Sequence, residues 1–131
     1  MSSNLPKACT LPPEPATIRI TAMPADTNPY GDIFGGWLVS QMDLAASAFA
    51  SRYCGGRAVT ASIETISFLN PVRVGDEVSV FARMVSVGRT SMRIAIEAWQ
   101  RDRNSERTLK VTEATFTFVA LDEHGRPRPV A

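Results

Sequence analysis

The chain has 131 residues, of which 44% are hydrophobic and 21% charged, with a formal net charge of +1. This length suffices for one domain with a real hydrophobic core and is short for two. A charge so near neutral excludes bulk electrostatic attraction to nucleic acid or to an anionic membrane, so an anionic ligand would have to be held by a local patch.

Residues Met1 to Pro15, with Pro6, Pro12, Pro13 and Pro15, read as a flexible leader outside the fold, and a single domain is expected over 16–131. The leader lacks the apolar run of a signal peptide. The longest apolar stretch, Ile33 to Ala50, is interrupted by Ser40, Gln41, Asp43 and Ser47 and does not read as a membrane span. A cytoplasmic location is the expectation. Cys9 in the leader and Cys54 near a helix end do not form a recognisable disulfide framework.

Ala16 to Ala22 alternates as a first strand, and Met23 to Asp32 (MPADTNPYGD) is a loop by its Pro, Asn, Asp and Gly content. Gly36 to about Arg52 is rich in Ala, Leu and Met, and Gly55-Gly56 provides a stop, so a helix is expected there. Strand texture follows over Ala58–Leu69, Glu77–Val87, Ser91–Gln100 and Lys110–Leu121. The last alternates cleanly, with Thr112, Ala114, Phe116, Phe118 and Ala120 on one side. Asn70-Pro71 and Val74-Gly75-Asp76 mark a turn, Val87-Gly88-Arg89-Thr90 a hairpin, and Arg101 to Arg107 a polar loop. The order predicts an α+β domain in which an antiparallel sheet of about five strands, consecutive strands pairing, curls around one long central helix covered on most sides. The sheet edges such a fold leaves open suit pairing with a second copy.

Asp43 is the most informative residue. It lies among Met42, Leu44, Ala45 and Ala46, and Gly36, Ser40, Asp43 and Ser47 form one narrow polar or small stripe at helical spacing. A carboxylate there is either turned to solvent, or used as a general base or nucleophile. Gly35 and Gly36 open the same helix. Their backbone N–H groups suit a developing oxyanion, although a tight turn would also call for glycine. Asp43 lies about 10 Å further along the axis, a distance that allows acid and oxyanion donor of one site to come from different subunits. Asn28, in the preceding loop, fits either turn chemistry or the orientation of a water or carbonyl. The sole histidine, His124, sits in a polar tail, which excludes a Ser-His-Asp triad and a histidine zinc site, and no metal is expected. Arg57, Arg73, Arg89, Arg93, Arg101 and Arg103 gather near strand turns; each is an ordinary surface charge or a fork for phosphate. Arg89, flanked by Gly88, Thr90 and Ser91, is the best local candidate for the second role.

Taken together, Met23-Pro24-Ala25-Asp26-Thr27-Asn28, Gly31-Asp32-Ile33-Phe34-Gly35-Gly36-Trp37 and Ser40-Gln41-Met42-Asp43 resemble the hotdog-fold acyl-CoA thioesterases of the YciA type, relatives of the cytosolic acyl-CoA hydrolases of animals. The resemblance continues through Gly56 to Thr60, Phe68 to Val72, Val74 to Asp76 and Thr115 to Ala120. It implies a hotdog fold, Asp43 as catalytic carboxylate, Asn28 as a second polar residue from across a subunit interface, and Gly36 as backbone donor to the thioester carbonyl. Contacts to substrate and coenzyme A are expected at Gly35, Arg57, Thr60, Gly88, Arg89, Thr90 and Ser91, with no cofactor beyond the coenzyme A of the substrate. It further implies homodimers assembling to a hexamer or a tetramer. Pro29-Tyr30 and Asn70 depart from the family's usual small or polar and basic residues, and the chain ends soon after Arg128, which bears on substrate preference. The rival reading is a non-catalytic acyl-CoA-binding module that senses or regulates. A hotdog dehydratase would need a histidine that the sequence does not supply.

Overall fold

The computed structural model describes residues 11–131; most of the expected leader, with Cys9, lies outside the described residues. The elements are β1 (Ile18–Thr21), a single 3₁₀ turn (Pro24–Asp26), α1 (Gly35–Cys54), β2 (Ala58–Phe68), β3 (Glu77–Val87), β4 (Ser91–Arg101) and β5 (Thr108–Ala120). All strand pairings are antiparallel, in the order β1-β3-β4-β5-β2. Among the described residues, no helix is long and apolar enough to cross a membrane.

Two expectations need correction. β2 and β3 are consecutive but do not pair: β2 lies at the far edge against β5, and Val72 of the connection is buried in the core. The buried Asp76 holds the turn into β3 by accepting hydrogen bonds from Arg73 N at 2.9 Å and Gln100 Nε2 at 3.3 Å. The helix, expected to be covered on most sides, buries a single flank in the protomer. Leu38, Met42, Ala45, Ala46, Ala50 and Cys54 are buried, whereas Leu44 and Tyr53 are exposed. The spacing of the buried set follows the 3.6-residue period, and the alanines let the helix lie close on the sheet.

Against that flank the sheet presents Val78, Val80 and Ala82 of β3, Met92, Ile94, Ile96 and Ala98 of β4, and Ala114, Phe116, Phe118 and Ala120 of β5. Burying each large apolar side chain of this kind contributes about 1.5–3 kcal/mol. Register shifts at Thr60/Ser62 and Glu64/Ser67 of β2, Met84/Ser86 of β3 and Ala98/Trp99 between β4 and β5 mark the bends by which the sheet curls. The helix stops at Gly55, whose φ of +68° is the left-handed conformation favoured for a residue ending a helix.

Candidate active site

Asp43 stands half-buried at the margin of the packed flank of α1, one residue from the buried Met42. Across from it, Thr60 lies opposite Phe118 in the β2–β5 pair, which turns its side chain towards the helix. The Thr60 hydroxyl donates to Asp43 Oδ1 at 2.6 Å. A charge-assisted bond of this length fixes the carboxylate's rotamer and leaves Oδ2 without a hydrogen-bond donor among the described residues. Thr60, expected as a substrate contact, is thus the residue that orients the carboxylate.

The helix start carries the second element. Phe34 is the N-cap and supplies no side-chain hydrogen bond. Its carbonyl accepts from Trp37 N at 3.0 Å, and the amides of Gly35 and Gly36 have no acceptor among the described residues. They are therefore available to an anionic or carbonyl oxygen at the positive end of the helix dipole. A Cβ on Gly36 would come within 2.7 Å of the Phe34 ring, and one on Gly35 would meet the Phe68 ring at 3.6 Å. A side chain at 36 would require the exposed Phe34 ring to swing aside. A shallow cavity of about 300 Å³ opens beside these amides, lined by Gly35, Leu38, Phe68, Leu69 and Pro71 among others.

Asn28 lies in the loop that Thr27 and Ile33 close by a β-bridge. Its Oδ1 accepts from Tyr30 N at 2.9 Å and Asp32 N at 3.1 Å. Turn chemistry therefore occupies the carbonyl oxygen, and the amide NH₂ is the group left to act on a ligand as donor. Tyr30 is exposed, and Asn70 donates to Lys110 O at 2.7 Å within its own protomer.

The remaining expected contacts meet at the other end of α1. Leu121 N donates to Arg57 O and Ala120 N to Thr90 O, each at 2.9 Å, so the end of β5 holds Arg57 on one flank and the Gly88–Ser91 turn on the other. Within the turn, Gly88 N donates to Ser91 O at 2.8 Å. The Gly88 amide is thus engaged within the turn. The Arg57 and Arg89 side chains are exposed, with no carboxylate partner among the described residues. One protomer thus joins Asp43 to Thr60 but separates the Gly36 amide from the Arg57–Arg89 end by a 20-residue helix, about 30 Å long. His124 is exposed in the tail, beside Glu123.

One long helix laid across a curled five-stranded antiparallel sheet, with a carboxylate at the margin of its packed flank, is the hotdog arrangement of thioesterases. A hexameric thioesterase from Yersinia pestis superposes with a TM-score of 0.87 at 45% identity, covering 92% of this chain and 98% of that one. An acyl-CoA hydrolase from Staphylococcus aureus, solved in complex with butyryl coenzyme A, coenzyme A and coenzyme A disulfide, gives 0.80 at 30% identity over 86% of this chain and 68% of that one. The profile of the thioesterase superfamily matches residues 30–106. The acyl-CoA thioester hydrolase YciA of Salmonella typhimurium is 50% identical over 116 residues, covering 86% of this chain and 87% of that protein. The chain belongs to the thioesterase superfamily and, within it, to the YciA-type thioester hydrolases.

Proposed function

We propose that this protein hydrolyses acyl-CoA thioesters to a carboxylic acid and coenzyme A, with Asp43 as the catalytic carboxylate. The observation that carries this reading is the Thr60–Asp43 hydrogen bond, which holds a half-buried carboxylate on α1 and leaves its other oxygen without a donor among the described residues. Its relatives' names, acyl-CoA thioester hydrolase in Salmonella typhimurium and acyl-CoA hydrolase in Staphylococcus aureus, supply the substrate class.

In this reading Asp43 takes a proton from water as the water oxygen attacks the thioester carbon. The negative charge gathers on the carbonyl oxygen, where the Gly36 amide, with that of Gly35 beside it, stabilises it. The tetrahedral adduct then collapses, the C–S bond breaks, and coenzyme A leaves as a thiolate that recovers a proton. Direct attack by the carboxylate, giving an acyl anhydride that water then opens, uses the same Oδ2. Asn28 donates its NH₂ to the carbonyl or to the attacking water.

The separation between the helix N-terminus and the arginine end in one protomer supports an active site completed by a second copy. β2, the longer of the two edge strands, offers an unpaired edge for that copy, with Val59 and Ile63 exposed on it. Dimers so formed assemble further to a hexamer, the state named for the Yersinia pestis structure.

The test is thiol release from acyl-CoAs of two to eighteen carbons by the wild type and by Asp43→Ala and Asp43→Asn. Turnover in the wild type that drops about a thousandfold in folded variants supports the reading. A wild type that binds acyl-CoA without turning over any of them makes the protein a binding module instead.

A further inference from the structure

The segment after β5 folds back over the end of the molecule that carries Arg57 and Arg89. Leu121 and Pro127 form a bridge, and Arg128 N donates to Ala120 O at 2.9 Å. The Arg128 guanidinium then donates to three carbonyls: Cys54 at 2.8 Å through Nη2, Leu121 at 3.1 Å through Nε, and Pro129 at 2.9 Å through Nη1. Cys54 is the last residue of α1, so the cation sits at the negative end of the helix dipole and satisfies one of its unpaired carbonyls. The fit is close, since a Cβ on Gly56 would lie 2.8 Å from Arg128 Nη2. Two residues on, Val130 is buried and its N–H donates to Arg89 O at 2.9 Å.

These bonds form one continuous path: the helix end, Arg128, Val130, then the turn. Gly88 and Arg89 are exposed, and within the turn the Gly88–Ser91 bond is its own hydrogen bond. Ala120 N already ties Thr90 O to β5, so what the Val130 bond adds is a hold on Arg89 itself; without it Arg89 would have to be ordered by each ligand it binds, and that ordering weakens affinity.

We propose that segment Leu121–Val130 is a strap and Arg128 its buckle, a positioning residue that holds the Gly88–Ser91 turn in the shape that receives the phosphates of coenzyme A. The inference rests on the reading that this turn is the nucleotide end of an acyl-CoA site. Arg128 touches no substrate in this account; its fork is committed to backbone carbonyls. It acts through Val130 and the Arg89 carbonyl, on a part of the ligand far from the thioester.

The experiment compares butyryl-CoA with butyryl-N-acetylcysteamine, which has the same thioester and no nucleotide. The proteins are the full-length wild type, Arg128→Ala, Arg128→Lys and Val130→Pro, the last removing the N–H bound to Arg89 while leaving the Arg128 side chain in place. With the strap, KM for butyryl-CoA and Kd for free coenzyme A rise about five- to tenfold in Arg128→Ala and Val130→Pro. In the same variants kcat stays put, kcat/KM for the truncated thioester is unchanged, and Arg128→Lys recovers part of the loss. Equal losses on both substrates would mean that Arg128 merely stabilises the fold, and no change on either would mean that the turn keeps its shape unaided; both outcomes overturn the strap. A wild type inactive on both substrates would sink the hydrolase reading alone, because the Kd for coenzyme A still decides whether Arg128 and Val130 matter.

Discussion

Replacing Thr60 by valine keeps the β-branched shape that a strand favours and removes only the hydroxyl that donates to Asp43. A hydrogen bond to a charged group is worth about 1.5–3 kcal/mol, and the exposure of Thr60 in the protomer places this one near the lower end. If the bond orients the carboxylate in the transition state, about 1.5 kcal/mol is lost there, which corresponds to roughly a tenfold fall in kcat. KM should stay within a factor of about two, because the hydroxyl binds the enzyme's own carboxylate and not the substrate. Thr60→Ser restores the donor and should restore the rate. In an Asp43→Asn background the valine should add less than about twofold, since the two residues act as a unit. The assay is continuous thiol release at saturating acyl-CoA, with thermal melts to show that each variant is folded. A Thr60→Val enzyme with wild-type kcat, or a Thr60→Ser enzyme as slow as Thr60→Val, refutes the assignment of Thr60 as the orienting donor.

Asn28→Asp keeps the oxygen that accepts from the amides of Tyr30 and Asp32 but loses the NH₂ donor, so the loop should hold while kcat falls about tenfold; equal losses of kcat and melting temperature would instead mark a purely structural residue. Ile63→Lys puts a charge on the β2 edge and should lower the mass seen by light scattering together with the activity; an active, unaltered oligomer would show that β2 is not the subunit contact. Phe116, fully buried between sheet and helix, should cost about 3–5 kcal/mol when cut to alanine, read by urea unfolding. Gly55→Ala meets no neighbour but keeps an unfavourable φ, and should cost about 1 kcal/mol in the same assay.

Local pattern carried much of the architecture. The alternation of Thr112, Ala114, Phe116, Phe118 and Ala120 gave the face of β5 that is buried, and Gly55 marked the helix end, because both follow from side-chain period and backbone sterics within a few residues. The place of β2 did not follow, since pairing it with β5 and not with β3 depends on contacts made across the whole domain. Trp99 belongs to the same kind: the β3–β4 register puts it on the face of the sheet away from α1, yet it is buried. At the site, Asp43 stood out as a carboxylate on an apolar helix, but its partner is seventeen residues away and on another element. No spacing rule reaches from the middle of a helix to the next strand, and only the fold brings Thr60 there. The double use of Asn28 was legible in part, since Asn before Pro-Tyr-Gly is turn chemistry, and the structure adds which end of its amide is still available.

The choice of Phe34 as N-cap has a consequence for engineering. Serine, threonine, asparagine or aspartate there would satisfy an open amide and strengthen the helix by about 1 kcal/mol. It is the kind of substitution a stability screen would select first. The oxygen it introduces would compete for the same N–H groups that the proposed mechanism gives to the developing charge. Tolerance to heat and speed of turnover are thus set against each other at one position, and a stabilised Phe34→Asp variant should prove the slower enzyme.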